Sequence, residues 1–296
     1  MRFSYSPNQC PFCGGQQTTS YHRVSFSQGA VSWVRCVHDG LVYQNPRLDN
    51  RSISSLFSAP EYIQGGKSAH PLGYYDYFES ERARLATGRK KIKKVEKKCG
   101  RKALNILEVG CATGSLLKAA RDRGHQVLGV DASAVFAEYG RRTYDLDIKV
   151  GLVEEMALPE SVHDVVFLQG SLLCLSDPVK VFVKIGRLLK PGGLFIFNVP
   201  LLDTLSSRLL GKRLWVYKPG VQVLYTRPNI LELLKRTSLH LLESRRDVQA
   251  VSLEKLACVL GFLNLGRFLG RLRRYYLTFY IPAVFEFVAS NREDKQ

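Results

Sequence analysis

Two glycines and one acid carry the clearest chemical signal in this chain. Gly110 and Gly114 bracket a short turn, and Asp131 closes the apolar run that follows it. Glycine adopts dihedrals that a side chain forbids and lets a ligand approach the main chain closely. A turn that feeds a helix offers free N–H groups to oxygen atoms. A carboxylate ending the next strand can accept both hydroxyls of a ribose. The spacing is G-x-x-x-G, whereas a pyrophosphate turn more often reads G-x-G-x-x-G. Glu108, two residues before Gly110, would also repel a diphosphate. Together these features favour a nucleoside ligand without phosphates.

The elements that must position these groups are legible in the flanking pattern. Ile106 to Val109 is an apolar run long enough for one buried strand. Leu116 to Arg123 carries apolar residues at helical spacing, and Val127 to Val130 is a second strand ending on Asp131. Strand, glycine turn, helix, strand, acid is half of a nucleotide-binding α/β unit, the pattern of dehydrogenases and other doubly wound domains as well.

A second constellation lies near the start of the chain. Cys10-Pro-Phe-Cys13-Gly14 sets two thiols across a tight turn, the form of a metal knuckle. Cys36-Val-His-Asp39-Gly40 occupies the place of the second half. Cys10, Cys13, Cys36 and Asp39 are the candidate ligands. An aspartate oxygen is a harder donor than a thiolate, and His38 is a rival for the fourth place, although its one-residue gap from Cys36 strains a knuckle. A ribbon that has lost its metal is the other reading. The alternation around Val31, Trp33 and Leu41 to Tyr43 predicts short antiparallel strands.

Composition bounds the rest. The chain has 296 residues, 45% of them hydrophobic, enough for one catalytic domain with appendages. No apolar run approaches the roughly 20 residues that span a bilayer, and MRFSYSPNQCPFC contains no apolar signal segment. Seven cysteines, an odd number in so long a chain, do not form a disulfide framework, so the expected setting is reducing and cytoplasmic. The net charge of +17 asks for an anionic partner: nucleic acid, a phosphate-bearing substrate or a membrane face.

Three motifs in order then point to a family. E-x-G-x-x-x-G followed by V-x-G-V-D-x-S resembles motif I and its acid in class I S-adenosylmethionine (SAM)-dependent methyltransferases. LPESVHDVVFLQG is similar to that family's run into strand four, and LLKPGG before LFIFNV to its turn into strand five. The resemblance covers residues 104 to 200 and implies a Rossmann-like, seven-stranded α/β sheet. It implies SAM contacts from Glu108, Gly110, Cys111, Ala112, Gly114, Asp131, Ala132, Glu154, Glu155 and Gln169. Glu154 and Glu155 are rivals for the adenine amino group. The run R-C-x-x-D-G-L-V-Y-Q-N-P-R resembles the zinc ribbon found ahead of many such enzymes, with Asp39 where the family has its fourth cysteine.

The expected organisation is a zinc-ribbon-like β module over 1–50, a helical bridge or lid over 51–103, the SAM-binding core over 104–200, and a substrate cap with the last strands over 201–296. A long helix is predicted from Glu79 to Lys98, inside a stretch, Arg82 to Lys102, with eleven Lys or Arg against Glu96 alone. A helix is expected from Ile230 to Arg236 and a final antiparallel strand from Ile281 to Ala289. Leu253 to Tyr280 reads as a basic amphipathic stretch that can lie in a membrane interface or pack as a core helix with a basic edge.

Acid–base candidates are thin. Two histidines customary in the family fall at Leu173–Cys174 and at Gln222. That leaves a carboxylate or tyrosine base (Tyr74, Asp203 or Tyr225), a self-activated acceptor, or lost activity. The resemblance implies methyl transfer to oxygen, or less readily nitrogen, of a small-molecule, sugar or lipid-linked anionic acceptor. RNA methylation ranks behind, since neither the N/D-P-P-Y tetrad nor a catalytic-cysteine motif is present; a non-catalytic SAM-binding role, suggested by the missing histidines, is the second alternative. The expected location is cytoplasmic, with peripheral contact at the inner membrane face through 253–280.

Overall fold

The computed structural model describes residues 4–26, 29–64, 77–252 and 276–292. Its centre is a seven-stranded sheet in which β6 (Asn105–Val109), β7 (Gln126–Asp131), β8 (Ile148–Val150), β9 (His163–Leu168) and β10 (Leu189–Pro200) run parallel. Across the sheet the order is β12 (His240–Ser252), β13 (Tyr276–Ser290), β10, β9, β6, β7, β8. β13 is antiparallel to both β10 and β12. Six parallel strands with one antiparallel member near the edge is the sheet expected from the motifs.

The local causes are plain. β9 is buried at every position, as a central strand covered on both faces must be. α4 (Ser115–Arg121) and α5 (Ala134–Tyr144) follow the turns after β6 and β7; Ser133 caps α5 by accepting from the Phe136 N–H. α6 (Pro178–Leu188) starts on Asp177 with proline at its first position. α8 (Arg227–Arg236) begins with a reciprocal cap between Thr226 and Asn229.

The long basic helix is α3, Glu81–Cys99, ended by Gly100 in the left-handed conformation. Lys91 is nonetheless buried on it, paired to Asp247 of β12 and Glu286 of β13. Not all of its cations are therefore a solvated face. The ambiguous 52–62 stretch forms two helices, α1 (Asn50–Ser58) and α2 (Pro60–Gln64).

The N-terminal module comprises β2 (Thr18–Phe26), β3 (Gly29–Cys36) and β4 (Val42–Gln44), with β1 (Tyr5–Ser6) pairing β5 (Arg47–Leu48). It does not stand alone. β4 also pairs with β11 (Val223–Leu224) from the cap, and Cys10, Trp33 and Tyr43 share one apolar core with Phe197 and Phe287 of the main sheet.

One expectation is corrected. Residues 276 to 280, read from sequence as the end of a basic amphipathic stretch, are strand, paired with Val248 to Ser252. Their β-branched and aromatic content fits a pleated surface. Residues 253–275 lie outside the described residues, as do Tyr74 and the Gly65–Gly66 pair.

Candidate active site

The carboxyl ends of β6, β7 and β9 converge on one cleft, where an open α/β sheet collects its ligands. The turn after β6 is held by its own backbone: Gly110 and Cys111 donate to the Val130 carbonyl at 2.7 and 3.2 Å. Gly110 has φ +69°, and a Cβ there would stand 2.2 Å from the Ser171 hydroxyl. Glycine is required on both counts.

Asp131 sits at the cleft wall with both oxygens engaged from below. Oδ2 accepts from the Ala112 N–H at 2.6 Å and Oδ1 from the Ser133 N–H at 2.8 Å. Burial pushes this carboxyl up to about 6, and the two N–H donors oppose the shift. Its remaining lone pairs are available to hydroxyls in the cleft.

Glu108 lies beneath the floor, 4% exposed, with Oε2 unpartnered among the described residues. Burial, then the Asp131 charge, raises its pKa well above the carboxylate range, and Lys91 acts the other way. Burial and the Asp131 charge thus both favour the uncharged form, which weakens the repulsion expected from sequence.

The two rival glutamates separate. Glu154 lines the cleft, its carboxyl raised by burial, while Glu155 turns outward and accepts from Asn50 Nδ2 at 3.1 Å. Gly110, Ala112, Asp131, Ala132, Glu154 and Gln169 are thus brought together. Cys111 is buried behind the turn with its thiol raised by burial, and Gly114 packs against Leu146 at the start of α4. Neither borders the cleft, and nor do Glu108 and Glu155.

The acceptor candidates fall elsewhere. Asp203 accepts the Arg227 N–H at the start of α8. Tyr225 is fully buried, packed near Phe12, and burial raises its hydroxyl far above neutrality. Neither borders the cleft. Cys174, in one customary histidine position, does line it, and burial pushes its thiol up to about 12. Gln222, in the other, is buried; its N–H donates to the Leu173 carbonyl at 2.7 Å and its Nε2 to Gln44 Oε1 at 2.8 Å.

Sequence reasoning missed a polar chain under the floor. The Gly170 N–H donates to Asn198 Oδ1 at 2.6 Å, Asn198 Nδ2 donates to Asp247 Oδ2 at 2.6 Å, and Lys91 Nζ donates to Asp247 Oδ1 at 2.8 Å. The available signal was Asn198 itself, a polar residue interrupting the apolar run FIFNV.

SAM fits this cleft on three observations. The glycine turn brings its backbone to the cleft, the Asp131 carboxylate lines the cleft beside it, and Gln169, which also lines it, keeps its side-chain oxygen without a partner among the described residues.

The N-terminal cluster can be tested in the same way. Cys10, Cys13 and Cys36 sulfurs and an Asp39 oxygen all lie within 4.8 Å of one another. Cys13 and Cys36 sulfurs are 3.6 Å apart, and Cys10 Sγ is 3.1 Å from Asp39 Oδ2. Tetrahedral zinc with ~2.3 Å Zn–S bonds separates two sulfurs by ~3.8 Å. Gly14 and Gly40 each follow a ligand pair at φ +70° and +68°, and the Leu41 N–H donates to Asp39 Oδ1. His38 is not in the group; its ring lies against Gly15. The four residues are compatible with zinc, which would release protons on binding because burial raises the Cys10 thiol.

Comparisons with known proteins agree with this geometry. Residues 107–197 match the family model described as "Methyltransferase domain". A probable SAM-dependent methyltransferase of Mycolicibacterium smegmatis is 30% identical over 103 residues, 34% of this chain and 40% of that protein. The ubiquinone biosynthesis O-methyltransferase of Alkalilimnicola ehrlichii is 32% identical over 105 residues, 33% of this chain and 42% of its own. The malonyl-[acyl-carrier protein] O-methyltransferase of Yersinia pestis is 28% identical over 94 residues, 31% of this chain and 35% of its own. The crystal structure of a Thermotoga maritima SAM-dependent methyltransferase, described as a possible histamine N-methyltransferase, superposes with a TM-score of 0.53 at 14% identity. That match covers 81% of this chain and all of the other, and it speaks for the fold alone.

Fold and matched segment define a class I methyltransferase domain built to bind SAM. The chain carries this domain of the methyltransferase family at residues 107–197, and it spans about two fifths or less of each curated relative named.

Proposed function

We propose that the protein transfers a methyl group from SAM to an oxygen atom of a small, anionic acceptor, of the sugar or lipid-linked kind. One observation carries the reading: a cleft at the carboxyl ends of the strands in which the Asp131 carboxylate stands against the G-x-x-x-G turn that follows β6. Bound SAM supplies a methyl already activated on a sulfonium. The chain's own residues then have three tasks. In this reading Asp131 holds the ribose, Glu154 meets the adenine and the 169–171 segment borders the methyl being transferred; all of them line the cleft.

Among the described residues no histidine, lysine or arginine lines the cleft. The Cys174 thiol, at about 12, stays protonated near neutral pH. An oxygen that ionises by itself, such as a carboxylate or an acidic hydroxyl, therefore suits this site better than an alcohol needing a base. Catalysis then rests on proximity and alignment. Two of the relatives named above are O-methyltransferases, which supports oxygen over nitrogen. The +17 charge supports an anionic acceptor.

The test is radiolabelled SAM offered with total RNA and, separately, with a panel of nucleotide sugars, sugar phosphates and lipid diphosphates. Label is expected in the panel. Label in RNA alone would reject the acceptor class, and calorimetry showing no SAM binding would reject the activity itself.

A further inference from the structure

One short helix of the cap is inside out. α7 (Leu205–Leu210) leaves β10 at its carboxyl end and is fixed by polar groups. Thr204 caps it by accepting from the Ser207 N–H, and the buried Ser207 hydroxyl donates to the Leu201 carbonyl. Its leucines face outward. Leu205 and Leu209, four residues apart and so on one face, are 74% and 79% exposed. Leu210 at 41% and Trp215 at 51% extend the apolar surface. A soluble helix normally shows the opposite arrangement.

Cations are interleaved with this apolar surface along the chain. Arg208, Lys212 and Arg213 are exposed, and no Asp or Glu occurs between Thr204 and Leu231. The position is equally specific. α7 packs against β13 and stands beyond the carboxyl end of β10, the rim on which the cleft opens. Residues 276–283 of β13 run past the last β10 pairing, Pro200 with Val284, toward that same rim. Leu277 and Tyr280 there are 51% and 59% exposed.

We propose that Leu205, Leu209, Leu210 and Trp215, interleaved with Arg208, Lys212 and Arg213, seat the cleft rim on an anionic phospholipid surface. Leucine and tryptophan enter the headgroup boundary while the cations meet lipid phosphates. Tryptophan prefers that boundary because its ring is amphipathic. A second copy of the chain fits poorly, because a two-fold contact would set the same three cations against themselves. The consequence for substrate is that the acceptor is drawn from the headgroup layer. That consequence rests on the proposed methyl transfer, whereas the docking itself does not.

The chain has two tryptophans, and Trp33 is fully buried, so emission changes on vesicle contact report Trp215. The experiment titrates the full chain with phosphatidylcholine vesicles, with and without phosphatidylglycerol, at low salt, following Trp emission and co-flotation. A blue shift and flotation are expected on the anionic vesicles, reversed by salt. L205E/L209E should weaken partitioning by on the order of tenfold or more, through lost apolar contact, with SAM binding by calorimetry unchanged as the folding control. No shift and no flotation by the wild-type chain would overturn the docking. So would undiminished binding by L205E/L209E, or a wild-type dimer in light scattering that L205E/L209E dissolves. SAM binding that persists while docking fails leaves the methyl-transfer reading intact; the reverse result removes that reading and keeps the docking.

Discussion

At the nucleoside end of the cleft, polar groups are set by short-range backbone contacts: Asp131 accepts from two N–H groups within two strands' reach, and Gly110 closes on Val130. At the acceptor end the walls come from distant parts of the chain. Cys174 and Ser176 stand beside Asn50 and Ile53, and the turn that carries Cys174 is tied through Leu173 to Gln222. In the proposed reading the first region grips the cofactor with local geometry, and the second, a seam between modules, is free to change its acceptor while that grip stays constant.

The sharpest way to break this contrast is Asp131→Ala. Removing a charged acceptor of two ribose hydroxyls should weaken SAM binding about 100-fold, read by calorimetry. Unchanged affinity would show that the nucleoside lies elsewhere.

Cys36→Ser tests the seam. Protein purified without chelator is expected to carry about one zinc per chain, measured by elemental analysis, and the variant to lose it. Because β4 pairs with β11 and shares the main apolar core, melting should fall by about 10 °C, read by calorimetric scanning. A zinc-free wild type that melts like the variant would show that the four residues hold no metal and that the module docks without one.

pH sharpens the comparison further. The Asp131 carboxyl is raised by burial from 3.8 to about 6, so the folded chain holds its proton more tightly than the unfolded one. Its contribution to stability is therefore largest below the unfolded value and is lost as pH rises through about 6. SAM affinity should move oppositely, rising about tenfold as the carboxylate ionises across that window. Asp131→Asn should flatten the titration. The smallest effect belongs to Cys174→Ser: a thiol that is not the base should leave kcat/KM within about threefold. A much larger loss would assign Cys174 a chemical role.

What the sequence disclosed follows the same division. The β6 turn, α4, β7 and Asp131 are contiguous, so spacing alone placed them, whereas the antiparallel last strand was expected from the resemblance to the methyltransferase sheet. The pairing of Val42 and Tyr43 with Leu224 and Val223 joins residues far apart in the chain, and no local pattern encodes it. The Asn198–Asp247–Lys91 chain was hidden for a related reason. Lys91 sits in a basic run that reads as solvated, and only its carboxylate partners on β12 and β13 reveal it as interior. Tyr276 to Tyr280 misled because aromatics beside arginines suit a helix face as well as a strand. Glu154 and Glu155 could not be told apart by register, since only the fold turns one of them outward.

The buried amide contact between Gln222 and Gln44 has a consequence for how this chemistry could change. A ring introduced at position 222 to gain a proton acceptor would have to displace the stitch that fastens the N-terminal sheet to the catalytic turn. Acquiring such a base and keeping the N-terminal module docked are thus competing demands on one side chain, and a variant that gained the first would have to re-anchor the second by other contacts.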